Sequence, residues 1–495
     1  MLSLEKINPV RIIAFLPFIS LIFMGWWNLK IFIFLNSIVF VLFLLSIFNI
    51  AKRRYFLLPK NYGYFLLSIF LSIVVFALSP IKNIIAIEYI NFLSGFIIFF
   101  IALNVEDNRD DVRYFYPFIF IIVIASMYNI ISGDDVVATT KNSNMLALSC
   151  ILIIGFLLDE KKYYPALFLF AVFIATRSVA AMFSVLTVSF YYGFKNRNNL
   201  DLKNNKITVI IVILLISFLF YNIETKSIMD RLNWWKSAFY MFIEKPIFGW
   251  GYSSFTHLID AFSDDLLKSV YAHNYFLESL VENGVLFCIF WFYFIFLLVK
   301  SAKGFYHYAL IAAMLHSFFD FGLNTTAGWW LFMYICAKAI GRNILIFKLG
   351  DGYRKINRYI ILLYSGIMTL WIFFSIRYLD IEKRNKIALE LTENQKYDIA
   401  IRFLDISIKK YPSNIDLLLR KVEVLEVLLL HNKGNVSILS ELSKTLESIL
   451  IINPYYKKSY RKLERIYEVL GDYRSIYELN LRKRRYMPWR FKEDN

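Results

Sequence analysis

Cysteine is nearly missing from this chain. Its 495 residues hold three, Cys150, Cys288 and Cys336, each inside an apolar run. That count excludes a disulfide scaffold and a thiolate metal centre. No Asp-x-Asp, no paired histidines at ligand spacing and no phosphate-binding glycine loop occur, so nothing points to a metal or a nucleotide. Strand-like alternation is absent as well, which argues against a membrane β-barrel. Acidic residues are outnumbered, 38 against 55 basic ones, giving a net charge of +17. In a chain this apolar, the excess reads as positive loops on one side of a membrane, not as a nucleic-acid surface.

What is abundant is hydrophobicity. Apolar residues make up 58% of the chain, and mean hydropathy is +0.53. They come in runs near the length of a membrane helix. Backbone groups in lipid must be satisfied within the segment, so these runs are expected to be helices. The expected fold is all-α: a polytopic membrane protein with about 12–13 transmembrane helices over residues 1–377 and a helical tail over 378–495. The expected spans are 10–28, 31–50, 62–80, 84–104, 114–132, 145–158, 163–176, 178–194, 206–222, 275–299, 308–323, 328–346 and 358–377. The first run leads straight into the second and reads as a signal anchor.

Loop charge sets the orientation. With the N-terminus inside, the inner loops collect Lys52-Arg53-Arg54, Lys161-Lys162, the basic 195–206 segment, Lys300 with Lys303, and the run from Arg342 to Arg358. The outer loops then carry little beyond Lys30, Lys82 and Lys141. Residues 163–194 must break at Thr176-Arg177-Ser178 for this count to work. The break puts Arg177 at the outer face, where an intramembrane arginine is a functional candidate. The same count places the long 222–274 loop and the tail outside, in the periplasm of a two-membrane bacterium.

That loop is too long to be a plain connector. Arg231 opens an amphipathic helix on which Trp235 and Ala238 share its face. Arginine keeps its charge and offers a planar fork to phosphate oxygens, so Arg177 and Arg231 on one face can clamp a pyrophosphate. Gly249 and Gly251, after Pro246, permit a tight turn or close backbone approach. His273-Asn274 stands at the start of the next span, where a histidine can take a proton from a hydroxyl. Asn274, Glu278 and Glu282 recur every four residues. Carboxylates there are expected to face a polar cavity or an arginine, with Arg177 and Arg231 as candidate partners. His316 and Asp320 are expected one helical turn apart. Glu88 is a further acid inside a span. Asn142 and Asn144 read first as helix caps, second as sugar contacts.

The tail changes to charged, helical sequence. Tyr397, Ala400 and Pro412 share their offsets with Tyr473, Ile476 and Pro488, and Leu439, Leu442 and Pro454 form a weaker copy. The last two prolines are separated by the tetratricopeptide period, with an insertion expected near His431-Asn-Lys-Gly434. Such an array is either a folded cap or a docking surface for an acceptor or protein partner.

Together these residues resemble the O-antigen ligase and polymerase superfamily. The resemblance rests on Arg231, Trp235, Pro246, Gly249, Gly251, Phe255, His273, Asn274, Glu282 and Gly284, on Asn144, and on His316 with Asp320. Thr176-Arg177-Ser178 is similar to a Ser-Arg-Gly element but lacks the glycine. The resemblance implies a glycosyltransferase of the bacterial inner membrane, without cofactor or metal. It would move a glycan from undecaprenyl pyrophosphate to a periplasmic acceptor hydroxyl. Arg177 and Arg231 would bind the pyrophosphate and His273 would handle the hydroxyl, with Glu282 and Asp320 positioning them. Asn144, Trp235, Gly249, Gly251, Asn274 and Glu278 would complete substrate binding. The acceptor would be lipid A core in a ligase, a lipid-linked glycan in a polymerase, or a protein in an O-oligosaccharyltransferase. The competing readings are a lipid-linked oligosaccharide flippase and a membrane scaffold displaying the tail. A flippase would carry polar residues at mid-depth in several spans, whereas the charges here gather at the outer face.

Overall fold

The computed structural model describes residues 15–23, 28–105, 115–140, 142–195, 225–263, 269–341, 343–350, 353–432 and 435–487. The expected 206–222 span, most of the basic 195–206 segment, Lys141, Arg342 and Pro488 lie outside them. Among the described residues the fold is all-α apart from one two-stranded ribbon.

The apolar runs form helices close to the expected bounds. They are α1 (Leu16–Phe23), α2 (Leu29–Arg53), α3 (Tyr62–Leu78), α4 (Lys82–Asn104), α5 (Tyr116–Ser132), α6 (Ser143–Asp159), α7 (Tyr163–Ala175) and α8 (Val179–Lys195). After the loop come α11 (Tyr275–Ser301), α12 (Gly304–His316) and α13 (Thr326–Ala339). Three of these, α2, α4 and α11, are long and apolar enough to cross a membrane, and shorter apolar helices surround them. Large side chains such as Ile131, Leu167 and Phe190 stay exposed on the bundle, which suits contact with lipid. Inside, Asn91 donates to Thr326 Oγ1 (2.7 Å) and accepts from Asn36 (3.1 Å), tying α2, α4 and α13 together. Buried polar groups satisfied across helices are how such bundles fix their register.

Three bounds differ from expectation. The 308–323 segment is not one helix: α12 ends at His316, and Asp320 sits in the turn before a 3-10 segment at Gly322–Asn324. Thr325 then caps α13 by accepting from Gly328 N (3.2 Å). Residues 344–348, expected at the end of a span, form strand β2 (Ile344–Lys348) against β1 (Tyr55–Pro59), antiparallel with Tyr55 opposite Lys348. The last span does not stop where the charged tail begins, because one helix, α14 (Tyr353–Glu393), runs through that point.

The loop holds α9 (Thr225–Glu244) and α10 (Ser254–Phe262). The tail adds α15 (Tyr397–Lys410), α16 (Ile415–His431), α17 (Val436–Ile452), α18 (Lys457–Leu470) and α19 (Tyr473–Tyr486), each packed on the next. Pro412 and Pro454 follow α15 and α17 at matching places, where proline ends a helix. Lys421, 8% exposed, bridges Asp405 (2.6 Å) and Glu441 (2.7 Å) and so pins three successive helices. Arg482 grips Glu447 with two bonds of 2.8 and 2.7 Å. At the α14–α15 junction, hydrogen bonds from Tyr411, Lys410 and Arg384 hold the Asp380 carboxyl far below the usual carboxylate range.

The tail does not stand off from the bundle. One apolar cluster joins Ile81 and Ile85 of the bundle, Trp250, Leu258 and Phe262 of the loop, and Leu418, Leu442 and Tyr460 of the tail. Trp250 is fully buried, donates to Met241 O (2.8 Å), and meets the Tyr455 ring edge-on at 5.0 Å. Lys457 reaches Ser263 O (3.1 Å). Replacing Trp250 by Ala should cost about 3–5 kcal/mol. Limited proteolysis should then release the tail early, and a digestion pattern like wild type would count against this docking.

Candidate active site

A backbone seam ties the loop to the bundle. Gly284 has φ +72° and breaks α11. The carbonyls freed above it accept from the turn that follows α9: Trp250 N to Val281 O (3.0 Å) and Gly251 N to Glu282 O (2.7 Å). Val285 N returns a bond to Pro246 O (2.8 Å). A Cβ at Gly249 would stand 2.6 Å from the Glu282 carbonyl carbon, and one at Gly284 would stand 2.2 Å from Ile247 O. Gly251, at φ +107°, lets Ser79 Oγ reach Trp250 O (2.6 Å). The close approach these glycines allow is to the protein's own backbone. Gly249→Ala adds a clash with immovable backbone to a strained φ of +64°. It should cost about 2–3 kcal/mol, read as a lower midpoint of thermal unfolding.

Around this seam the predicted residues fall into two groups. The first centres on Asp320, fully buried, with Oδ1 lacking a hydrogen-bond partner among the described residues. Asn144 donates to Asp320 Oδ2 (2.7 Å) and accepts from Ser178 Oγ (2.6 Å). Asn144 is therefore no cap. Asn142 caps α6 by accepting from Met145 N (2.9 Å), which frees Asn144 to bridge. His273 Nδ1 lies 3.7 Å from Asp320 Oδ2, an ion-pair distance longer than a hydrogen bond. The charges of His316, His273 and Arg231 all act on the Asp320 carboxylate. Arg231 is fixed by Nη1 donating to Phe319 O (2.9 Å). His316 is fully buried, and neither ring nitrogen has a hydrogen-bond partner among the described residues.

His273 has φ +52°, a conformation that costs a non-glycine residue energy and recurs at functional sites. Trp234 stacks on its ring at 4.9 Å and Phe321 meets it edge-on at 4.7 Å. With Nδ1 turned to Asp320, Nε2 is the nitrogen left for a substrate. Trp234 was missed in the sequence, where Trp235 looked the better partner for Arg231 by spacing. Trp235 is half-buried, and its indole nitrogen has no acceptor among the described residues. Arg177 stands in the break between α7 and α8, exposed, at φ +54°. Its neighbour Ser178 belongs to the Asp320 cluster, so Arg177 flanks that cluster.

The second group does not pair with the arginines as expected. Glu278 Oε2 accepts from Ala272 N (2.6 Å), and Glu282 Oε1 accepts from Phe255 N (3.3 Å). Backbone N–H groups of the loop take the place foreseen for Arg177 and Arg231. Asn274 caps α11 by accepting from Leu277 N (3.0 Å). The two glutamates face the other expected alternative, a polar cavity, together with Glu88. No group of three metal-ligating side chains is found among the described residues.

His257 on α10 lines the same cavity, and its carbonyl accepts from Asn453 of the tail (3.5 Å). Burial lowers its pKa from 6.5 to about 4. The fold thus favours the neutral ring. Its contribution is fully present above pH 6.5 and is lost as the pH falls from there toward 4, because the unfolded chain binds the proton first. His257→Gln should flatten the pH dependence of the melting temperature across that window. An unchanged slope would show that the fold does not shield the ring.

Comparison with known proteins adds one finding. Residues 127–292 match the protein family described as O-antigen ligase. No curated protein and no solved structure gave a match. The matched segment contains Asn144, Arg177, Arg231, Gly249, Gly251, His273 and Glu282. It stops short of His316 and Asp320, which the fold brings to the same place, and short of the tail. Residues 127–292, which carry Asn144, Arg231 and His273 of the Asp320 cluster, are thus similar to the O-antigen ligase family.

Proposed function

We propose that this protein moves a glycan from undecaprenyl pyrophosphate to an acceptor hydroxyl, at the periplasmic face of a bacterial inner membrane. The observation that carries the reading is the His273–Asp320 contact, with Arg231 fixed beside it. In the proposed step the acceptor oxygen attacks the anomeric carbon, and the bond from that carbon to the pyrophosphate oxygen breaks. The hydroxyl proton passes to His273 Nε2, and Asp320 on the other side of the ring offsets the charge the ring gains. Undecaprenyl pyrophosphate leaves as an anion. Arg231, with Arg177 beside the cluster, offsets the charge that builds on it. Asn144 and Ser178 keep Asp320 in place.

Lipopolysaccharide ligation is the favoured form, with lipid A core as acceptor. The tail, which resembles a short tetratricopeptide array, serves as a wall of the site. Protein or polymer acceptors are outcomes of the same test.

Arg231→Ala should lower transfer about 10²–10³-fold, and Arg231→Lys should restore only part of it, since lysine lacks the planar fork. His273→Ala should cost about 10²–10⁴-fold. The assay is mass spectrometry of envelope glycans in a depleted strain carrying each variant. Polymer retained on the carrier lipid with bare lipid A core identifies a ligase. Single repeat units in place of polymer identify a polymerase, and glycan lost from proteins alone identifies an oligosaccharyltransferase. Wild-type glycans in every fraction of the Arg231→Ala strain would end the catalytic reading of the loop.

A further inference from the structure

The second group of residues encloses a cavity of about 640 Å³. Its walls come from three parts of the chain: the outer ends of α2 and α4, the loop around α10, and the tail. Six acids line it: Glu88, Asp260, Glu278, Glu282, Glu382 and Asp416. Among the described residues, no lysine or arginine does. Glu278 and Glu282 are each only 2% exposed. Four polar atoms of lining residues are shielded from solvent without a hydrogen-bond partner among the described residues: Glu88 Oε2, Asn324 Nδ2, Glu382 Oε2 and Asn385 Oδ1. Buried polar atoms need partners, so these point to a ligand that supplies them.

The lining decides which ligand. A phosphate or a uronic acid would meet acidic side chains with no basic one among the described lining residues. A metal finds no group of three ligands among the described residues. A hydroxyl both donates and accepts, and so suits carboxylates and amides together. Tyr252, Tyr271, Tyr378 and Tyr456 add flat rings. Tyr271 also connects the two groups, since it stacks on Phe321 at 4.3 Å, next to Asp320.

We propose that this cavity, completed by the tail, binds the sugar residues of a neutral or amino-bearing glycan segment and excludes anionic sugars. The proposal rests on the glycan-transfer reading and adds the charge class of the sugar and a binding role for the tail. The tail contributes Asp416 and Tyr456, and α14 contributes Glu382 and Asn385. The pyrophosphate then belongs to the Arg231 side, and the sugars lie on the acidic side of Tyr271.

The test measures binding, not transfer. Full-length protein in detergent is titrated with chitotetraose, its de-acetylated tetra-amine and tetragalacturonate. The first two should bind, and the galacturonate should bind at least about tenfold more weakly. Asn385→Ala and Tyr456→Ala should each weaken chitotetraose binding about tenfold, with melting temperatures close to wild type. Arg231→Ala should leave it unchanged. Equal affinity for the galacturonate, no binding of any of the three, or wild-type affinity in both cavity variants would overturn the proposal. Intact binding together with wild-type glycans in the Arg231→Ala strain would instead overturn the transfer reading and leave the cavity standing.

Discussion

The architecture of the site depends on a backbone contact that no side chain makes. Where Gly249 lies against Glu282 and Gly284, α11 is broken, and its freed carbonyls become acceptors for the turn after α9. Hydrogen bonds between main chains fix position in a way that exposed ion pairs cannot, because no rotamer has to be frozen. From that seam Arg231 extends one way toward Phe319, and Trp250 extends the other way into the core shared with the tail. The Asp320–His273 cluster and the acidic cavity are two faces of one loop.

The division of charge follows. Arg231 and His273 gather on the Asp320 side, with Arg177 next to Ser178 of that cluster, and the acids gather on the cavity side. A lipid pyrophosphate and a sugar chain differ in the same sense. The Tyr271–Phe321 stack stands between the two environments, and under the proposed function each end of one long substrate would find its own surroundings.

Much of the bundle was legible because hydrophobic runs of membrane length leave little choice of structure. The break at Thr176-Arg177-Ser178 was readable from loop charge alone. Arg231, His273 and Asp320 could be picked out as polar groups in apolar surroundings. Their partners could not. Asn144 looked like a cap because the local rule for Asn before a helix is strong, and only the fold shows that Asn142 takes that task. Spacing favoured Trp235 over Trp234, since periodicity reports faces of a helix and says nothing of what stands opposite. The end of α12 at His316 was hidden because Phe318, Phe319 and Phe321 continue the apolar pattern through a turn. The glutamate stripe was visible, but backbone N–H groups carry no sequence signature, so arginines were expected in their place.

The manner in which Arg231 is anchored has a further consequence. Its partner is the Phe319 carbonyl, a neutral acceptor, reached through a single Nη1 bond. An arginine locked into a bidentate carboxylate pair has spent its charge and its paired donors before a ligand arrives. Here the orientation is set while the positive charge stays whole and other N–H donors remain free. The residue is aimed by a neutral partner, and under the proposed function its remaining donors would meet the diphosphate directly.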